Sequence, residues 1–223
     1  MSVLEREMYS EPEAARLLGV PQSTLHWWLE GGARRSKTYA PVIRARSSGS
    51  KLVSWGEFVE AGLLRQYRRE HQVPLHEIRI FIDVLRTSLD VPYPLAHARP
   101  FVGEGRHLLL EAQHEAAVPG DFSLVAEASG QLLLTPAAHA YYTRVEWEHD
   151  MAAQWRPHDD PRSPVRMDPL VRFGRPSIDG ISTEVLWEQV EDGAGLDELA
   201  EEFSLASASV RWAWSYENSA RAA

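Results

Sequence analysis

Residues 9–32, reading YSEPEAARLLGVPQSTLHWWLEGG, constrain the fold more than any other stretch. Ser10, with Glu13 three residues on, has the spacing of a capping box, in which each side chain satisfies a backbone N–H at a helix start. Ala14, Ala15, Leu17 and Leu18 give the short helix that follows one apolar face. Gly19 suits the position after a helix, where a positive φ costs any residue with a side chain most. Pro21 restarts a helix in its first turn, where a missing N–H is no loss. Leu25, Trp28 and Leu29 then supply an inward face at i, i+3, i+4 spacing. Two short helices across a tight glycine turn form a helix-turn-helix, the unit whose second helix enters the DNA major groove. That geometry turns Gln22, Ser23, His26 and Trp27 outward near the start of the second helix. Glutamine can bond bidentately to adenine, whereas serine and histidine more often touch phosphates. An ordinary helical hairpin would have the same spacing, so charge has to weigh between the two.

The 223 residues carry a formal net charge of −9, which argues against a chain that coats nucleic acid with its whole surface. The distribution says more. Residues 1–72 hold 11 basic and 8 acidic residues, and the remainder holds 12 and 24. Between Gly31 and Lys51 lie Arg34, Arg35, Lys37, Arg44, Arg46 and Lys51 with no acid among them. A basic patch beside a helix-turn-helix is the electrostatic footprint of phosphate binding. Residues 41–54 alternate apolar and basic residues around Ser47-Ser-Gly-Ser50, so Val42–Arg46 and Lys51–Ser54 are expected to pair as a hairpin, a wing carrying Arg44, Arg46 and Lys51. Helices are expected from Trp55 or Gly56 to about Glu70 and, after a break around Gln72–Pro74, on to about Leu89.

In that order, GVPQSTLHWWLEGG, the wing, VSWGEFVEAGLLRQYR and VPLHEIRIFIDVL resemble the winged helix-turn-helix of MerR-type regulators over roughly residues 8–90. The resemblance implies operator DNA as a partner, with His26 and Trp27 at the phosphate backbone and Arg44 and Arg46 in the wing. His26 stands where that family usually has arginine, and a histidine is charged only when protonated.

The middle of the chain, Val91–Pro169, is rich in Pro, Gly and His. Strands are expected at Arg106–Glu111, Ser123–Glu127 and Gln131–Leu134, the last two joined through Ala128-Ser-Gly130, with a helix from Pro136 to about Trp147 and weaker strands at Ala152–Arg156 and Val165–Met167. His107, His114, His139, His149 and His158 lack the short spacing of a ligand set and the chain has no cysteine, so no metal and no other cofactor is expected. No Ser/His/Asp grouping or phosphate loop stands out, and the Asp159–Asp160 pair sits in a solvated run, so the chain is expected not to be an enzyme.

From Asp168 onward, helices are expected at Thr183–Glu191, Leu196–Phe203 and Ser207–Asn218. The last two again have helix-turn-helix spacing, but Thr183–Glu202 holds eight acidic residues and no basic one, a surface that repels phosphate. Asp168-Pro169, Phe173-Gly-Arg-Pro-Ser-Ile-Asp-Gly180, Leu199-Ala200, Val210 and Tyr216 are similar to the C-terminal domain of VapB-like antitoxins, over about the last fifty residues. The resemblance implies a PIN-like ribonuclease toxin as partner, and the head-plus-tail arrangement implies an antitoxin that represses its own operon as a homodimer. Trp212, Trp214 and Tyr216 alternate along the last helix and are candidates for a toxin or dimer interface, since Trp and Tyr are enriched at hot spots.

The expected architecture is α+β and predominantly helical: residues 1–90 a winged helix-turn-helix, 91–167 a region with a small β-sheet, 168–223 a three-helix domain. The alternative reading is a MerR-like transcriptional regulator responding to a small molecule. No apolar run approaches the roughly 18–20 residues of a membrane span and no charged-then-apolar leader opens the chain, so a cytoplasmic protein without membrane contact is expected.

Overall fold

The computed structural model describes residues 2–34, 36–70, 74–118, 123–128, 131–158 and 160–222. Among them the fold is α+β, with nine α-helices and five two-stranded sheets. The chain divides into two compact units: Met1–Thr143 with Trp147–Ala152, and Arg144–Glu146 with Ala153–Ala223.

In the first unit, a 3-10 turn at Val3–Glu5 leads into strand β1 (Glu7–Ser10), which pairs antiparallel with β4 (Leu52–Ser54). Helices α1 (Glu11–Leu18) and α2 (Gln22–Glu30) lie between these strands. Ser10 caps α1, its Oγ accepting from Glu13 N–H at 3.4 Å, and Gly19 closes it in the left-handed region at φ 60°. Gly31 closes α2 at φ 67°, and a Cβ there would fall 2.2 Å from the Tyr39 carbonyl oxygen, so only glycine lets the next strands fold back. Those strands are β2 (Gly32–Arg34) and β3 (Lys37–Tyr39), a hairpin in which Arg34 faces Lys37. The core beneath is made of Tyr9, Leu18, Leu25, Trp28, Leu29, Ile43, Val53, Trp55 and Phe58, all nearly inaccessible.

Helix α3 (Trp55–Glu70) and helix α4 (Leu75–Leu89) follow as expected, while residues 72 and 73 of the expected break lie outside the described residues. Ser54 and Glu57 cap α3 reciprocally: Glu57 N–H donates to Ser54 Oγ at 3.3 Å and Ser54 N–H to Glu57 Oε2 at 2.9 Å.

The stretch Arg106–Glu111 is not a strand. It forms part of helix α5 (Gly105–Glu115), because Leu109, Ala112 and Gln113 share a buried helical face. Gln113 then uses its amide as a template for the next sheet, donating to Val125 O at 3.1 Å and accepting from Leu124 and Val125 N–H. That sheet pairs β5 (Val125–Ala128) with β6 (Gln131–Leu134), and residues 129–130 of their connection lie outside the described residues. Helix α6 (Pro136–Tyr142) stops five residues short of the expected Trp147. Tyr141 is locked inward by donating to Leu95 O at 3.0 Å, and Trp147 turns back to donate to Tyr142 O at 3.1 Å. Residues 145–148 form instead strand β7 (Val145–Glu148), which makes a hairpin with β8 (Met151–Trp155).

In the second unit, Trp155 bridges Met167 and Arg166 bridges Ser177. Strands β9 (Ser177–Ile178) and β10 (Ile181–Ser182) meet across Asp179-Gly180, both at positive φ, the Asp-Gly pairing that a tight hairpin turn selects. Helices α7 (Thr183–Glu191), α8 (Leu196–Glu202) and α9 (Ser207–Ala222) follow, the three expected. Val165, Ile178, Leu186, Ala213 and Tyr216 form one core cluster, and Leu199, Ala200 and Val210 another. No helix among the described residues is long and apolar enough to cross a membrane.

Candidate nucleic-acid interface

Helix α2 buries Leu25, Trp28 and Leu29, which turns Gln22 and Ser23 fully to solvent at its first turn. One turn on, His26 is part-exposed and its Nδ1 lies 3.1 Å from both carboxylate oxygens of Glu11. Glu11 opens α1 and is itself buried; its carboxylate also has Lys51 Nζ at 4.0 Å, and its N–H donates to Lys51 O at 3.0 Å. One buried carboxylate therefore holds two of the candidate cationic residues beside the exposed start of α2. Nothing in the spacing of Glu11 marks it for that role, since it is a first-turn acid like many others.

Trp27 is half-buried. Its ring packs against Tyr39 at 5.7 Å between centroids and runs under Gly32, so it seats the β2–β3 hairpin on α2. This hairpin, and not the expected pairing of Val42–Arg46 with Lys51–Ser54, is the β-ribbon next to the helix pair. Lys37 is exposed on it and Arg34 lies in β2, while Arg35 lies outside the described residues. The expected wing fails because β4 is already committed to β1, and because Val42, Ile43 and Arg44 are buried.

Arg44 consequently does not lie along the surface. Its Nε donates to Glu57 Oε1 at 2.7 Å and its Nη2 to Glu57 Oε2 at 3.1 Å and to Leu52 O at 2.8 Å. Nη1 donates to Glu30, to Ser48 Oγ at 2.8 Å and to Ser50 O at 3.2 Å. Glu30, at the end of α2, is wrapped in turn by the loop expected as the wing's turn: Ser48 and Gly49 N–H donate to it at 3.1 and 3.0 Å, as does the Ser47 hydroxyl. Burial pushes the Glu30 carboxyl up, but these donors and the Arg44 charge outweigh it and hold the group down at about 2. The Glu30–Arg44–Glu57 hub is a structural clamp between α2 and α3. Two residues on, Arg46 is exposed. The Ser54–Glu57 box that fixes one arm of the clamp repeats the spacing of Ser10–Glu13 and is legible in the sequence.

A second carboxyl in this unit is unusual. Glu60 is wholly buried on α3, accepts from Leu95 N–H at 3.0 Å through Oε1, and has no hydrogen-bond partner at Oε2 among the described residues. Burial pushes it up to about 8.

In the second unit Tyr216 belongs to the core, Trp212 is half-buried against that core with its ring edge-on to His158, and Trp214 is 38% exposed, its Nε1 donating to Glu191 at 2.9 Å. The three do not make one surface. Tyr216 is a packing residue, because it falls one helical turn from Ala213 on the buried face.

No protein-family model matches the chain. It is 29% identical to the "Uncharacterized protein Rv2308" of Mycobacterium tuberculosis over 228 residues, 96% of this chain and 92% of that one. It is 26% identical to the "Putative antitoxin VapB45" of the same organism over 223 residues, 92% of this chain and 91% of that one. Its fold is that of the crystal structure of Rv2018 from Mycobacterium tuberculosis, with a TM-score of 0.75 at 23% identity, covering 95% of this chain and 99% of that one.

Proposed function

We propose that this chain is the antitoxin of a two-protein toxin–antitoxin pair, that it neutralises a PIN-like ribonuclease toxin, and that its MerR-like head represses its own operon by binding DNA as a dimer. The full-length likeness to a protein named as a VapB antitoxin supports the first part. The second part rests on one observation: Gln22 and Ser23 are exposed at the start of α2, with His26 and Lys51 gathered on Glu11 beside them. In this reading Gln22 reads a base edge, Ser23 and His26 position the backbone, and Lys37, Arg46 and the β2–β3 hairpin follow phosphates. Arg34 and Arg35, in the same basic run, are assigned to phosphates by the same reading. The reading assigns the chain no catalytic step.

The test is co-purification of the tagged chain with the product of the adjacent open reading frame, then a gel shift on its own promoter. A complex with a small nuclease whose RNA cleavage it blocks, and a shifted promoter fragment, are expected. A chain that captures no nuclease would overturn the antitoxin reading. One observation favours the alternative of a regulator responding to a small molecule: a cavity of about 350 Å³ in the first unit, lined by Ile43, Arg46, Leu52, Arg86 and Tyr93. A transporter or enzyme gene next door, with a metabolite that releases the promoter, would decide for it.

A further inference from the structure

Leu170 and Phe173 are the most exposed large apolar side chains among the described residues, at 75% and 72%. The loop that carries them is well defined. Arg172, Phe173 and Gly174 all take positive φ, at 52°, 55° and 74°, a conformation that strains a bulky residue. Local bonds hold it there. Leu170 N–H donates to Asp168 Oδ1 at 2.7 Å, Gly174 N–H to Val171 O at 2.9 Å, and Arg172 Nε to Gly180 O at 2.9 Å. Pro169 and Gly174 are buried on either side, so the loop is anchored at both ends and displays its apolar groups.

The knuckle is also electrically distinct. Arg172 and Arg175 are exposed at its rim, and they are two of the four basic residues between Asp168 and Ala223. Elsewhere in the same unit, α8 shows Asp197, Glu198, Glu201 and Glu202 to solvent beside the half-buried Leu196, Phe203 and Leu205. The two surfaces are complementary in charge: an exposed apolar knuckle with a cationic rim, and an acidic helix edged by half-buried apolar side chains that also pack on their own core.

We propose that the Leu170–Phe173 knuckle seats on the acidic, apolar-edged face of α8 in a second copy of this chain. Both halves of the contact lie in one unit, so two copies complete it without a third molecule, and an exchanged pair of such contacts closes a two-fold dimer. The pairing gives the operator reading what it needs, two heads on one palindrome, since α4 ends at Leu89 with Asp90 in the left-handed region and does not run on into a long pairing helix. Only that purpose rests on the operator reading. The contact rests on the second unit alone.

The experiment is sedimentation of the full-length chain at low and high salt. A dimer that weakens with salt is expected for the native chain. Leu170→Asp with Phe173→Ser is expected to be monomeric with a nearly unchanged thermal melt, because those side chains bury little in one copy. Arg172→Glu, and separately Glu201→Lys with Glu202→Lys, should each weaken association roughly tenfold or more. Mixing those two variants should restore a heterodimer through the reversed charges. A folded Leu170/Phe173 variant that still dimerises, or reversed charges that do not restore pairing, would overturn the proposal. So would a native chain that is monomeric at all salts, with the knuckle variant losing a co-purified nuclease instead. A native dimer that fails to shift its promoter would overturn the operator reading and leave this one standing.

Discussion

Two helix pairs of the same spacing lie in this chain, α1–α2 and α8–α9, and each turns through a residue in the left-handed region, Gly19 at φ 60° and Ser204 at φ 54°. Local backbone rules treat them alike. Their surroundings do not. The first pair exposes Gln22 and Ser23 and collects His26 and Lys51 on a buried carboxylate, beside a hairpin bearing Lys37. The second carries four carboxylates within α8 and follows four more in residues 184–192, without a compensating base, and its final helix spends Ala213 and Tyr216 on the core. Geometry makes a helix pair able to enter a groove, and charge decides whether a polyanion is admitted.

The largest effect is expected at the clamp that holds the first pair on α3. Arg44→Met leaves Glu57 and Glu30 enclosed without their cation, and should cost about 3–5 kcal/mol in urea unfolding. Arg44→Lys should recover only part of that, since a single ammonium cannot span both carboxylates. A loss under 1 kcal/mol would show that the hub is not a clamp.

Next in size is the buried Glu60. Its folded value of about 8 exceeds the ordinary 4.5, so the folded state holds the proton longer than the unfolded one. The sign follows: stability falls as pH rises from 4.5 through 8, by at most about 5 kcal/mol in all. Glu60→Gln should flatten this slope, matching the native chain near pH 4 and exceeding it near pH 9. Parallel stability curves for the two proteins would show that Glu60 is ionised in the fold.

Smaller effects sharpen the contrast between reading and positioning. Gln22→Ala should cost about 1–3 kcal/mol on the native operator and little on random DNA, measured by competition gel shift. Lys37→Ala and Arg46→Ala should each weaken binding to every sequence and lower the salt slope by roughly one. Equal losses on both DNAs for Gln22→Ala would move it to the backbone-contacting set. The smallest effect expected is from Ser10→Ala, about 1 kcal/mol of stability through the lost cap of α1.

Much of the local fold was legible because it rests on rules that act over a few residues. The caps at Ser10 and Gly19, the limits of α3 and α4, the β5–β6 pairing and the three C-terminal helices all follow from periodicity and turn residues. The errors share one cause, which is that partners distant in sequence decided between local options. Residues 42–46 alternate as a strand should, but β1 had already taken β4 as its neighbour and the core claimed Ile43. Arg106–Glu111 carries a short apolar run, Leu108-Leu109-Leu110, that suits a strand as well as a helix, yet burial of Leu109 and Ala112 within the first unit made it a helix. Arg44 and Arg46, alike in sequence, were separated by two carboxylates 14 and 13 residues away, Glu30 and Glu57, which enclosed one guanidinium and left the other in water.

The sequence by itself therefore determined the helix pair, the outward setting of Gln22 and Ser23, and the opposite charge of the chain's two ends, since spacing, capping and composition are local or additive. Only the tertiary structure decided which cations face solvent, that Trp27 seats a hairpin at residues 32–39, that Tyr216 is core, and that Leu170 and Phe173 are held outward. Those outcomes depend on which buried carboxylate or apolar face each side chain meets, and no spacing along the chain records that.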